Sequence, residues 1–347
     1  MNFTIIVTSK CNLRCDYCYE ENKKYQDMSV EVCDKTIDFI IKSICARKNI
    51  NESHKVVFHG GEPLLKFDLI RHIKERLDNE LKYKYKISYM MTTNGTVISQ
   101  EIINYIKENN IALSVSVDGT KCTHDKYRRF ESGKGSYDIV YKNVAKLIQN
   151  EINIRCRLTY RSLTVSELYK GILELSSLGI KNFVPVADFY DTTWTKEDID
   201  VLESEIDRMI CDNKYKDLRV SMINQERLCE KQSDCFGGIV SFTISEDGGI
   251  YPCTFVIGNE KFRIGTVYND DCIDKEYSLE LFYERFEESE PCKTCSAKEY
   301  CMGNKCKLIN YMANGKYYEP SIINCNLMSV NLRTYNKLLK GGELGAL

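Results

Sequence analysis

Near the amino end, Cys11, Cys15 and Cys18 form a C-x3-C-x2-C run. Three thiolates this close can wrap one face of a cubane iron–sulfur cluster and leave one iron without a protein ligand, whereas clusters that only carry electrons normally take four cysteines. An open iron can bind a small molecule directly. Structural zinc prefers four ligands in paired knuckles, and none of the four histidines lies beside this run. The chain has 17 cysteines in 347 residues, an odd number that rules out complete internal disulfide pairing. The N-terminus lacks a charged segment followed by a long apolar one, so we read the chain as cytoplasmic, where cysteine clusters point to metal ligation. Cys33, Cys45, Cys122, Cys156, Cys211 and Cys272 are scattered singly and read as small apolar residues.

A second candidate site is Gly60-Gly61-Glu62-Pro63. The glycines allow close approach of the backbone, Glu62 can accept from an ammonium, and Pro63 suits the first position of a helix.

These residues need elements to position them. Apolar, β-rich runs at 3–8, 55–59, 87–92, 111–117, 152–159 and 182–187 alternate with amphipathic stretches at 29–48, 64–81, 99–109, 136–150 and 164–178. Ser29 and Ser99 are candidate N-caps, with Val32, Thr36, Phe39, Ile40 and Ile44 on one face of the first helix. This alternation predicts parallel βαβ units, either an open sheet or a curled partial barrel, with ligands at the C-terminal ends of the strands. Both motifs directly follow a strand. A helix is predicted over 195–211, and Glu246-Asp247-Gly248 reads as the turn of a hairpin. Lys+Arg of 48 against Asp+Glu of 50 gives a net charge of -2, with no global basic field for nucleic acid. No apolar run approaches the ~18 residues of a membrane span, so no membrane partner is expected.

The cysteine run, with Tyr17 before its last cysteine, resembles the signature of the radical S-adenosylmethionine (SAM) superfamily, and Gly60–Pro63 resembles the family motif that contacts the cofactor's amino group. The resemblance implies an α/β core over 1–194, a partial (β/α)6 TIM-like barrel. It implies a 4Fe-4S cluster on Cys11, Cys15 and Cys18, with SAM on the open iron. Tyr17, Gly60, Gly61, Glu62, Pro63, Asn94 and Ser116 would then be cofactor-binding. His124, Asp125 and Arg128 lie downstream of Ser116, where the family places polar side chains for the cofactor's ribose and carboxylate; for Arg128 an ordinary solvated side chain is the alternative and the nearer expectation.

Farther on, Cys229-x5-Cys235-x12-Gly248-x4-Cys253, Cys292-x2-Cys295-x5-Cys301-x4-Cys306 and Cys325 resemble the SPASM extension, with x4 where x3 is usual. That implies a small Cys-rich domain with a β-hairpin and short helices over 229–330. A helical linker at 195–228 would precede it and a C-terminal helix or tail at 331–347 would follow. By the family's interleaved ligation, Cys229, Cys235, Cys253 and Cys306 would hold one auxiliary 4Fe-4S cluster. Cys292, Cys295, Cys301 and Cys325 would hold another, making three clusters in all. A zinc-bound or disulfide-stapled domain is the alternative for this region. Without its metal the part beyond 228 is expected to lose structure.

The resemblance implies an oxidoreductase that matures a ribosomally made precursor peptide, generating a 5'-deoxyadenosyl radical to install a thioether or carbon–carbon crosslink, or another backbone or side-chain modification such as epimerisation. Anaerobic sulfatase maturation, which yields formylglycine, is the alternative. Those enzymes follow the Tyr-Pro-Cys stretch with an Asp, where this chain has Thr254, and a neutral hydroxyl cannot serve as a base near neutral pH. A non-catalytic iron–sulfur redox protein is a third reading, disfavoured by Gly60–Pro63. A radical enzyme that modifies nucleic acid is a fourth, disfavoured by the charge. Expected partners are the precursor peptide and an electron donor such as flavodoxin or ferredoxin. The core strand beginning at residue 3 leaves leader binding to the barrel, the extension or a separate leader-binding protein. The acidic stretches 284–290 and 270–276 read as solvated surface.

Overall fold

The computed structural model describes residues 1–18, 25–47, 49, 51–212, 217–223, 235–277, 290–301, 303 and 306–340. They divide into two compact units. The first comprises Met1–Val115, Arg128–Asn153 and Phe236–Glu284, and the second Ser116–Tyr127, Ile154–Cys235 and Arg285–Leu347.

The first unit is a mixed sheet. Strands β1 (Asn2–Ile6), β2 (Ser53–His59), β3 (Lys86–Thr93) and β4 (Ala112–Ser116) run parallel in that order. Strand β8 (Ser241–Ile244) joins the other edge of β1, also parallel, and continues antiparallel into β9 (Gly249–Tyr251) and β10 (Gly265–Thr266). The hairpin predicted at Glu246-Asp247-Gly248 is thus present, and it extends the sheet of the core.

Helix α1 (Val30–Cys45) is capped by Ser29, whose side chain accepts from the Val32 amide, and the five predicted positions on its inner face are buried. Ser99 caps α3 (Gln100–Glu108) in the same way. The Phe3 ring lies 6.0 Å from both Phe39 of α1 and Phe242 of β8, which fixes the helix and the hairpin on β1. Burying a side chain of this size contributes about 1.5–3 kcal/mol. Helix α2 (Phe67–Leu81) follows β2 after a short 3-10 turn, Pro63–Lys66, and α5 (Tyr137–Gln149) completes this unit's helical layer.

The second unit holds strands β5 (Ile154–Tyr160), β6 (Asn182–Ala187) and β7 (Arg219–Val220), all parallel. The single helix expected at 164–178 is a 3-10 turn, Ser162–Glu167, followed by α6 (Leu168–Ser176). The junction is capped from elsewhere, since buried Glu205 of α7 (Lys196–Cys211) accepts from the Tyr169 amide at 2.9 Å. Periodicity could not reveal α4 (Lys121–Tyr127), which is only two turns long, or β7, which has two residues. The last helix, Ile322–Lys340, begins before residue 331 and carries Cys325 in its first turn. Its Arg333 and Lys337 pair with Glu203 of α7 at 2.9 and 3.1 Å. No helix among the described residues is long and apolar enough to cross a membrane.

Candidate active site

The loop that leaves β1 is closed at its base. Ser9 exchanges hydrogen bonds with Gln26, and the Thr8 hydroxyl donates to Asp27 at 2.7 Å. Asp27 also pairs with Lys66 at 2.7 Å and Lys10 at 2.9 Å. Burial opposes ionisation of Asp27, but bonds from Lys66, Lys10 and Thr8 bring it down to about 2. From this clamp the chain runs into Cys11, Cys15 and Cys18, all half-buried and none in a disulfide.

A hairpin braces the same loop. The Arg14 amide donates to the Arg129 carbonyl at 2.7 Å, and Leu13 forms a β-bridge with Phe130. Ion pairs Arg14–Glu131 and Arg129–Asp16, each 3.1 Å, run in opposite directions across it. Sequence reasoning missed this brace. The only signal was the glycine-bearing turn at 131–135, where Gly133 adopts a left-handed φ of 81°.

The Gly60–Pro63 motif packs on the start of the cysteine loop. The Gly61 amide donates to the Thr8 carbonyl and the Glu62 amide to the Lys10 carbonyl, both at 2.9 Å. A Cβ on Gly60 would lie 2.2 Å from the Thr8 oxygen, and one on Gly61 2.3 Å from the Lys10 oxygen. Close approach is therefore required here, between two segments of the chain itself. Pro63 opens the 3-10 turn as expected.

Glu62 is wholly buried. One carboxylate oxygen accepts from the Leu64 amide and the Thr93 hydroxyl, the other from the Asn94 amide. All three donors are neutral, and no cation among the described residues pairs with it. Burial outweighs the hydrogen bonds and pushes Glu62 up to about 7. Four acceptor sites against three donors leave one site on the carboxylate for a further donor.

Asn94 links this group to the thiols. Its side-chain amide donates to Asn12 at 2.9 Å and lies 3.7 Å from the Cys11 sulfur. Its carbonyl is held by Thr96, and Asn12 also donates to Thr96. Asn12 and Thr96 are positioning residues that the sequence did not single out.

Arg128 departs from expectation. It is 7% exposed rather than solvated, lying over the Tyr17 ring at 5.2 Å with Nη1 3.9 Å from the Cys15 sulfur. Donors aimed at sulfur suit the thiolates of an iron–sulfur cluster, and a buried carboxylate without a counter-ion suits an ammonium-bearing cofactor. The residues present thus fit both groups. Ser116 ends β4 and is buried in the second unit, as is His124 of α4, whose ring accepts from the Asp118 amide at 3.3 Å. Asp125, beside it in α4, is half-buried.

Of the later cysteines, Cys292, Cys295, Cys301 and Cys325 belong to the second unit. Burial raises the Cys325 thiol, and charge on Cys301, Cys295 and Cys292 raises it further. Gly303 lies beside Cys301, its Cβ position 3.5 Å from the Cys301 sulfur and 3.4 Å from Asn324. Cys235 and Cys306 also lie in the second unit and Cys253 in the first, while Cys229 falls outside the described residues. Cys306 precedes the helix Lys307–Asn314, and the Cys253 sulfur accepts from the Phe255 amide at 3.5 Å. The stretch 284–289 and residues 302, 304 and 305 of the x4 spacer also lie outside the described residues.

Residues 5–164 match the radical SAM superfamily. The chain carries a radical SAM domain. Beyond that domain, similarity runs along most of the sequence. It is 25% identical to the cysteine-type anaerobic sulfatase-maturating enzyme of Clostridium novyi, covering 85% of this chain and 84% of that one. It is 24% identical to the antilisterial bacteriocin subtilosin biosynthesis protein AlbA of Bacillus subtilis, covering 97% and 69%. Among solved structures, native anSMEcpe with bound AdoMet matches with a TM-score of 0.80 at 20% identity over 99% of both chains. Streptococcus suis SuiB bound to precursor peptide SuiA matches with a TM-score of 0.66 at 15% identity over 93% and 75%. The radical SAM domain and the Cys-rich region that follows it therefore share the fold of these enzymes.

Proposed function

We propose that the protein is a radical SAM peptide maturase that installs a thioether or carbon–carbon crosslink in a ribosomally made precursor. The observation that carries the radical core is the buried Glu62, which pairs with no cation among the described residues and is tied through Asn94 to the cysteine loop. Cys11, Cys15 and Cys18 would hold a 4Fe-4S cluster. Glu62 would accept from the amino group of SAM, with Tyr17, Gly60, Gly61, Pro63, Asn94 and Ser116 around the cofactor and Arg128 at its carboxylate. Bound there, the cluster and SAM supply a 5'-deoxyadenosyl radical able to take hydrogen from an unreactive C–H bond. Auxiliary 4Fe-4S clusters would sit on Cys229, Cys235, Cys253 and Cys306 and on Cys292, Cys295, Cys301 and Cys325. A flavodoxin or ferredoxin in the cytoplasm would deliver electrons.

The chain's own part is positional. The Thr8–Asp27 clamp and the 129–135 brace hold the thiols, and the bond from the Glu62 amide to the Lys10 carbonyl sets the spacing between the two motifs. Thr254 opens the short turn Thr254–Val256 directly after Cys253. Its hydroxyl cannot hold a substrate proton near neutral pH, which supports crosslinking over formylglycine formation.

The relation to the sulfatase-maturating enzyme favours a second reading, oxidation of a cysteine or serine to formylglycine. Anaerobic incubation with SAM, a reductant and peptides from short reading frames beside the gene separates the two. A peptide lighter by a pair of hydrogen atoms, joined internally by tandem mass spectrometry, supports the maturase. Formylglycine on a cysteine-type sulfatase peptide, with no change in the neighbouring peptides, supports the second reading.

A further inference from the structure

Arg161 directly follows β5 and Asp188 directly follows β6, so both stand where parallel sheets bind ligands. The Arg161 side chain is 25% exposed. Its Nε lies 3.1 Å from Asp188 and 3.6 Å from Asp191, and its flat face covers the Tyr127 ring at 5.1 Å. Both carboxylates are buried and fixed from behind. Asp188 accepts from the Tyr190 amide. Asp191 accepts from the amide and hydroxyl of Thr193 and from the amide and hydroxyl of Ser162.

The guanidinium is therefore held at its Nε by ion pairing, without an aligned hydrogen bond among the described residues, and by one face. Its paired Nη groups have no protein partner among the described residues. An arginine present only to neutralise carboxylates would offer that forked end, which makes the stronger, two-bond contact. Here the fork is left open. Nearby, the Trp194 indole nitrogen, on a ring edge-on to Tyr160, is buried with no partner among the described residues. This indole nitrogen and the guanidinium nitrogens are all donors.

Charge selects the acceptor. One guanidinium already faces two carboxylates, so a third carboxylate would meet a net negative cluster. A neutral carbonyl meets free N–H donors without that repulsion, and a peptide offers such an oxygen at every residue.

We propose that Arg161 is a positioning residue for the peptide substrate: its open Nη pair takes a neutral carbonyl oxygen, from the main chain or from an Asn or Gln side chain. Asp188 and Asp191 hold the guanidinium in place. This rests on the peptide-maturase reading.

The test uses the anaerobically reconstituted full chain with SAM, and peptides tiled across the short reading frames that adjoin the gene. Affinity for a bound peptide is expected to fall about tenfold or more in Arg161→Gln, the effect of losing a hydrogen bond to a charged donor, with KM raised more than kcat is lowered. Single thioamide substitutions then weaken one main-chain carbonyl at a time. A position that costs the wild type but not Arg161→Gln identifies a main-chain contact. The same pattern on replacing a peptide Asn or Gln by Ala identifies a side-chain contact. Arg161→Lys keeps the charge without the fork and serves the same measurements if Arg161→Gln unfolds. Equal affinity of wild type and variants, or coupling only to a peptide Asp or Glu, overturns the proposal and leaves the maturase reading standing. Failure of the wild type to bind or alter any tiled peptide overturns both.

Discussion

The Glu62 carboxylate accepts the Asn94 main-chain N–H at 2.7 Å, so the loops that follow β2 and β3 share one buried acid. Glu62→Gln would turn an amide NH2 toward donors on at least one side. Leaving one of these groups unsatisfied costs about 1–3 kcal/mol. We expect a lower unfolding midpoint by calorimetry and weaker SAM binding by equilibrium dialysis. Unchanged values for both would remove Glu62 from the site.

The same carboxyl predicts a pH dependence. It titrates near 4.5 when unfolded and near 7 when folded, because burial disfavours its charge. Between those values the folded state keeps a proton that the unfolded state releases. Stability contributed by this group is therefore full below the lower value, falls as pH rises through the window, and is flat above it. The span corresponds to about 3 kcal/mol. Urea titrations of SAM-free protein should show this slope, and Glu62→Gln should lack it. SAM affinity should rise across the same window, since an ammonium favours the carboxylate.

Gly61→Ala tests the seam between the two motifs. Its Cβ would sit 2.3 Å from the Lys10 oxygen and 2.8 Å from the Ser9 oxygen, both main-chain atoms. Relief requires moving the segment just before Cys11. We expect a loss of about 1–3 kcal/mol, as for overpacking generally, together with reduced iron loading at the first cluster. Iron counts matching wild type at equal stability would contradict this.

Replacing Cys11, Cys15 and Cys18 together by Ala should abolish SAM cleavage and remove about four of roughly 12 iron atoms. The remaining paramagnetic signal should belong to clusters that do not respond to SAM. Loss of all iron would mean that the later cysteines do not assemble clusters on their own.

Much of this was legible from residue types. The strand–helix alternation placed β1 to β6 within a few residues, because each strand is a short apolar run and Ser29 and Ser99 act as local caps. The two motifs were legible because thiols and a Gly-Gly-Glu run are rare away from chemistry. Arg128 was not, since a long basic side chain is usually solvated and nothing local shows that Tyr17 and Cys15 lie beneath it. Asn12 and Thr96 acquire their roles only when the loops after β1 and β3 meet. The Arg161 fork was invisible for the same reason, since Asp188 and Asp191 face it only once β5 and β6 pair.

The brace across the cysteine loop consists wholly of protein atoms: a main-chain bond, a β-bridge and two crossed ion pairs. None of these four contacts runs through a metal ligand's sulfur. A cluster lost from Cys11, Cys15 and Cys18 would leave the start of that loop framed by these contacts, and rebuilding it would take reduced thiols, iron and sulfide.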